Sequence, residues 1–131
     1  VGIAPDGGTD RSHDALARMC GLGAARERIV AAVGPAIGRN SYEVGPEFPA
    51  PFLAADAGNA AFFFPAATPG KQLFDIKGYV ASRLAAGGIG EVAVLPNDTC
   101  AEQRRFFSYR RACQRGESDY GRQISAIALV G

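Results

Sequence analysis

The hydrophobic residues of this chain fall into short runs, and the spacing changes from one run to the next in a way that predicts the elements. Ala15, Leu16 and Met19 follow Thr9-Asp10 and Asp14 and are closed by Gly21 or Gly23, which predicts a helix with an acidic first turn. Ile29-Val30-Ala31-Ala32-Val33 is a short continuous apolar run with β-branched residues, as in a buried strand. Gly34 to Gly45 holds too many breakers to be regular. Pro49 and Pro51 limit any helix over 46–55 to a turn or two. Residues 56–70 read as a loop around an apolar knot, Phe62-Phe63-Phe64-Pro65. After Phe74 the helical period returns: Ile76, Tyr79, Val80 and Leu84 share a face, and Gly87-Gly88 ends the helix. Glu91 to Leu95 predicts a strand stopped by Pro96-Asn97, and Asp98 or Thr99 is placed to cap a helix from Cys100 to about Arg105. Arg122 to Val130 predicts a last strand. Helices interleaved with strands make the class α/β or α+β.

Composition narrows the picture. At 131 residues the chain has room for one domain, expected to run over 1–131, and its 47% hydrophobic content is too high for wholesale disorder. No apolar run approaches the ~18–20 residues that cross a bilayer. A net charge of +1 excludes a globally basic nucleic-acid coat. The three cysteines form no C-x-x-C pair, which fits reduced thiols and a cytoplasmic setting better than a disulfide framework. The chain opens on Val1 with no signal-like segment, so an interior start is expected, with an N-terminal portion lying upstream.

Charge is unevenly spread. Residues 100–131 carry six arginines against three acids, whereas residues 1–99 sum to −2. The densest piece is Arg104-Arg105-Phe106-Phe107-Ser108-Tyr109-Arg110-Arg111. It reads either as a solvated basic face anchored by phenylalanines or as an anion pocket, with Arg110 and Arg111 beside the hydroxyls of Ser108 and Tyr109. The glycine-rich segment follows a strand, where α/β proteins place ligand loops. Gly34, Pro35, Gly38, Tyr42 and Glu43 are therefore expected to line a cleft beside Phe106–Arg111. That segment matches no nucleotide fingerprint, and Gly87-Gly88-Ile89-Gly90 reads as a helix-to-strand loop. His13, Cys20, Cys100 and Cys113 have no zinc-ligand spacing, so no metal-ligating residue is nominated. A single His and no nucleophile elbow leave a serine triad without support.

Six motifs then occur in a familiar order: Ala31-Ala32-Val33-Gly34-Pro35-Ala36-Ile37-Gly38, Tyr42-Glu43-Val44-Gly45, Phe74-Asp75-Ile76, Asp98-Thr99-Cys100, Phe106-Phe107-Ser108-Tyr109-Arg110-Arg111 and Gly121-Arg122-Gln123-Ile124-Ser125. In order and spacing this set resembles the laccase-domain proteins, once called polyphenol oxidoreductases and now regarded as purine nucleoside phosphorylases. The resemblance covers about residues 29–131. It implies a cytoplasmic enzyme with a layered α/β/β/α fold that cleaves adenosine, inosine and methylthioadenosine with phosphate and can deaminate adenosine. It also implies a zinc or copper site of two His and one Cys. Those ligands belong to Ala-Asp-Cys and His-Ala-Gly-Trp-Arg-Gly motifs that this sequence lacks; where the second should fall it reads Val1-Gly2-Ile3-Ala4-Pro5-Asp6-Gly7-Gly8. The chain thus looks like the C-terminal half of the family domain, with its metal ligands outside it.

On this resemblance Arg110, Arg111 and Arg122 would hold phosphate, with Ser108 and Tyr109 adding hydroxyls. The partners implied are a purine nucleoside and phosphate, with no nucleic acid and no membrane. Two alternatives stand beside this reading: a copper-dependent phenol oxidase, and a non-catalytic piece that needs the metal-bearing half.

Overall fold

Two sheets organise residues 11–128, the part of the chain that the computed structural model describes, with side chains of the first helix described from Asp14 onward. In the first, β1 (Val30–Val33) pairs in parallel with β5 (Glu91–Val94), Val30 opposite Glu91 and Val33 opposite Val94. Parallel strands need a crossover, and α3 (Ile76–Ala86) supplies it. Its first turn is capped by Asp75, whose carboxylate accepts from the Gly78 N–H at 3.0 Å. Gly88 leaves the helix at φ 73°, a backbone angle that glycine adopts without strain. Helix α1 (Arg11–Gly21) docks against that exit: Leu16 is buried, and a Cβ added to Gly87 would lie 2.8 Å from its methyl.

The second sheet is antiparallel, in the order β2-β4-β3. It joins β2 (Glu43–Val44), β3 (Phe63–Pro65) and β4 (Gln72–Phe74), with Phe63 opposite Phe74. Its inner face carries the core. Phe74 is 1% exposed, and Val44 and Phe52 are buried beside it. The Phe63 ring stacks on Phe74 at 4.8 Å, and Phe52, brought in by α2 (Ala50–Ala55), lies 5.1 Å from Phe74. Tyr42, Phe48, Phe62 and Tyr79 close the cluster.

The class expected from the spacing is the class observed, with parallel and antiparallel strands among helices. Three local expectations are corrected. The Phe62–Pro65 knot is not loop alone: it enters β3, because alternation sends Phe63 into the core while Phe64 faces the Arg39 guanidinium at 4.6 Å. No helix forms over Cys100–Arg105. Asp98 accepts from the N–H groups of Cys100 and Ala101, and Glu102 accepts from the N–H of Asp98 at 2.9 Å, so side chains close a run of turns in its place.

A helix of seven residues, α4 (Tyr109–Arg115), follows these turns. Ser108 caps it, and Gly116 ends it at φ 68°. Residues 122–128 form no strand. Ile124 and Ile127 are 91% and 80% exposed, and no ladder partner lies beside them among the described residues; residues 129–130 lie outside those described.

Gly90, just before β5, is a point of close approach. A Cβ there would collide with the backbone carbonyl of Glu27. Gly90→Ala is therefore expected to cost about 1–3 kcal/mol, read as a lower urea midpoint with an unchanged slope.

Candidate functional site

The C-terminal ends of the two parallel strands open into the segments 34–45 and 95–108, which meet at Asp98. Ala36 bridges to Asp98 in parallel, and the Thr99 N–H donates to the Ala36 carbonyl at 3.0 Å. The Asp98 carboxylate gathers the corner. The Ser41 hydroxyl donates to it at 2.6 Å, as do the N–H groups of Gly38, of Cys100 at 2.9 Å and of Ala101 at 3.2 Å. Burial pushes this carboxyl up, but the Ser41 hydroxyl and the three N–H donors outweigh it and hold it below the ordinary carboxylate range. A folded-state value below the unfolded one adds stability above about pH 4 and loses it as pH falls through the folded value. The stability gap between wild type and Asp98→Asn is thus expected to be widest near neutrality and to shrink below about pH 4. Urea unfolding of both proteins at pH 7 and pH 3 checks this.

Beside this corner lies an open cleft of about 630 Å³, lined by Ile37, Tyr42, Thr99, Phe107, Ser108, Tyr109, Arg110, Cys113 and Gln114. Ile37 and Tyr42 come from the glycine-rich segment and Phe107 to Gln114 from the arginine-rich one, so both share one cavity. Tyr42 joins the core to the cleft. Its ring packs 5.7 Å from Phe74 and 6.0 Å from Phe48, and the Arg110 guanidinium lies 5.2 Å from its centroid. Arg110 Nη1 also donates to the Glu43 carbonyl at 2.9 Å. Among the described residues this guanidinium meets no carboxylate at salt-bridge distance, and most of its N–H donors remain available.

The nominated residues separate into groups. Tyr42, Ser108, Tyr109 and Arg110 line the cleft. Arg111 does not: its guanidinium donates to the carbonyls of Thr99 at 2.9 Å, Cys100 at 2.8 Å and Phe106 at 2.6 Å. It ties the turns to α4. Arg122 lies 4.7 Å from the Tyr120 ring and 3.5 Å from the Asp119 carboxylate, away from the lining. Gly34 and half-buried Pro35 sit at the exit of β1, where a Cβ on Gly34 would meet Ser125 at 3.3 Å. Gly38 is buried against Asp98. The Glu43 carboxylate pairs with Lys71 at 3.1 Å, and hydrogen bonds from Thr68 and Lys71 lower its pKa.

Ile37 and Phe107 fall inside the two segments expected to share a cleft, whereas Thr99, Cys113 and Gln114 are lining residues outside them. A signal for Cys113 and Gln114 was present: the Ser108 cap, the Tyr109-Ala112-Cys113 spacing and Gly116 together mark a helix. Thr99 carried no such signal, because turns and an arginine brace bring it in.

The segment 119–125 backs the cleft rim. Tyr120 lies 5.0 Å from Tyr109, the Phe107 N–H donates to Gln123 Oε1 at 3.2 Å, and a Cβ on Gly121 would collide with the Phe107 ring. The Cys113 side chain, ahead of burial and the neighbouring Tyr120, raises the Tyr109 phenol above its ordinary range.

The His₂Cys donor set implied by the resemblance finds no match here. Among the described residues no three His, Cys, Asp or Glu side chains converge to hold a metal, and Cys20, Cys100 and Cys113 are free thiols. No described helix is long and apolar enough to cross a membrane.

A family model described as multi-copper polyphenol oxidoreductase laccase matches residues 10–130. A purine nucleoside phosphorylase of Xylella fastidiosa is 32% identical, covering 100% of this chain and 49% of its own length. The purine nucleoside phosphorylase YfiH of Escherichia coli is 38% identical over 79% of this chain and 40% of its own length. A crystal structure of the Neisseria meningitidis protein NMB0706 superposes with a TM-score of 0.64 at 26% identity, over 76% of this chain and 42% of that one. The chain spans less than half the length of the curated relatives it matches.

Proposed function

We propose that this chain, which belongs to the multi-copper polyphenol oxidoreductase laccase family, supplies the phosphate-binding wall of a purine nucleoside phosphorylase. In phosphorolysis a phosphate oxygen bonds to C1′ of the ribose while the C1′–N9 bond breaks. The electron pair leaves with the purine, which takes up a proton, and ribose 1-phosphate is the second product. Catalysis then rests on holding a multiply charged anion in line with C1′.

The observation that carries this reading is Arg110. Its guanidinium is fixed from behind by the Tyr42 ring and the Glu43 carbonyl, and it lines a cleft together with Ser108 and Thr99. A planar fork whose donors are largely unused among the described residues, beside two hydroxyls, suits a phosphate oxyanion. The relatives' name supports the reaction class. The substrates we assign are adenosine, inosine and methylthioadenosine, with adenosine deamination as a further activity. The chain's own contribution is anion positioning; a donor set for zinc or copper is not among the described residues.

Release of hypoxanthine from inosine tests this reading. Release that saturates with inorganic phosphate is expected. Release that proceeds equally without phosphate, or no release at all by the protein in its full-length form, overturns it.

A further inference from the structure

Two large aromatic side chains stand in the cleft wall with more than half of their surface in water. Phe107 is 57% exposed and Tyr109 is 64% exposed. An exposed aromatic ring is ordinarily free to change rotamer. These two are held, and by one segment. The Tyr120 ring lies 5.0 Å from that of Tyr109, tilted by 55°, and the Arg122 guanidinium lies 4.7 Å from the Tyr120 ring. Gly121 lies so close under Phe107 that no side chain fits between them, and Gln123 fixes the Phe107 backbone N–H. Holding apolar rings at a wet surface forgoes the gain of burying them. A flat ligand that covers them recovers it.

We propose that Phe107 and Tyr109 form the nucleobase platform of the cleft, on which the purine ring stacks while Arg110 and Ser108 take the phosphate. This rests on the phosphorylase reading and deepens it by assigning the base-binding wall. The argument is one of paired chemistries. The ligands of a nucleoside phosphorylase present a π-face at one end and an anion at the other. The run 107–110 alternates an aromatic, a hydroxyl, an aromatic and a guanidinium along one wall, and all four line the same cavity. Tyr120 and Arg122 touch no ligand in this scheme; they are positioning residues that hold Tyr109.

Calorimetric titration of the full-length protein with hypoxanthine, and separately with inorganic phosphate, tests the platform. Losing one stacked ring is expected to weaken hypoxanthine binding by about five- to 150-fold in Tyr109→Leu, with phosphate affinity unmoved. Tyr109→Phe, which restores the π-face without the hydroxyl, is expected to regain most of the loss. Phe107→Leu provides a second variant, with its melting temperature measured alongside. Hypoxanthine affinity within twofold of wild type in both leucine variants overturns the platform. So does an equal loss of phosphate affinity, or a wild type that binds no hypoxanthine. If inosine phosphorolysis is intact while the leucine variants bind base normally, the platform falls alone. If platform-dependent base binding occurs without any phosphate-dependent release from inosine, the phosphorylase reading falls and the platform stands.

Discussion

Phe74→Ala is expected to destabilise the chain by about 3–5 kcal/mol, a large part of the roughly 5–15 kcal/mol that holds an ordinary domain together. Phe74 is 1% exposed and is met by the rings of Phe63 at 4.8 Å, Phe52 at 5.1 Å, Phe48 at 5.5 Å and Tyr42 at 5.7 Å. Removing its ring deletes one partner from each of these contacts and leaves a void that five stiff neighbours, Tyr79 among them, cannot collapse to fill. The consequence reaches the cleft, since Tyr42 braces Arg110 from the cleft side and Phe74 from the core side. Phe74→Leu, which keeps much of the volume, is expected to lose less than half as much. Equilibrium urea unfolding checks both; a loss below 1 kcal/mol for Phe74→Ala would show that the aromatic cluster is not the structural centre of the second sheet.

The neighbouring arginines of α4 are expected to fail in opposite ways. Arg110→Ala removes a charge-assisted donor from the cleft and is expected to weaken phosphate binding by about 1.5–3 kcal/mol, on the order of ten- to a hundredfold, read as the phosphate KM in hypoxanthine release from inosine. Arg110→Lys is expected to recover only part of this, because an ammonium cannot reproduce the fork. Arg111→Ala instead strips the donors from three carbonyls, those of Thr99, Cys100 and Phe106, and Thr99 is buried. Its expected cost is about 1–3 kcal/mol of stability, with the phosphate KM of the remaining folded protein little changed. The contrast is the test. Equal effects on phosphate KM from both substitutions would remove the special role of Arg110, and a thermally neutral Arg111→Ala would remove the brace.

The same pair shows how much of the candidate site could be read without coordinates. Arg110 and Arg111 are adjacent and chemically identical, and composition singles out both together. Their fates diverge by one step of about 100° around a helix. That step carries Arg110 to Tyr42 and Glu43, and Arg111 to the turns after Asp98. Ser108 and Gly116 mark this helix in the sequence, and the divergence of the two arginines follows from it. Arg122 is a different case: only the fold of residues 119–125 places it on Tyr120, one ring removed from the cleft.

What the sequence by itself determined are the elements whose cause is local. A continuous apolar run with valine at each end makes β1, although Val30 and Ala32 stand exposed where a buried strand is expected; a 3.6-residue period capped by Asp75 and closed by glycines makes α3, and a run stopped by Pro96 makes β5. Each depends on backbone angles and side-chain spacing within a few residues, which the sequence states directly. The tertiary structure alone decided what depends on partners far along the chain. Phe63 became a strand because Phe74 lies opposite it, while Ile124 and Ile127 did not, having no ladder beside them among the described residues. Cys100–Arg105 forms turns, which Arg111 ties to the last helix through the Thr99, Cys100 and Phe106 carbonyls, a partner the local spacing does not show. The cleft belongs to this second kind. Its walls are 57 residues apart at the Ser41–Asp98 hydrogen bond and 67 apart where Arg110 meets Glu43, and a contact of that span is set by which surfaces bury each other, not by any pattern local to either segment.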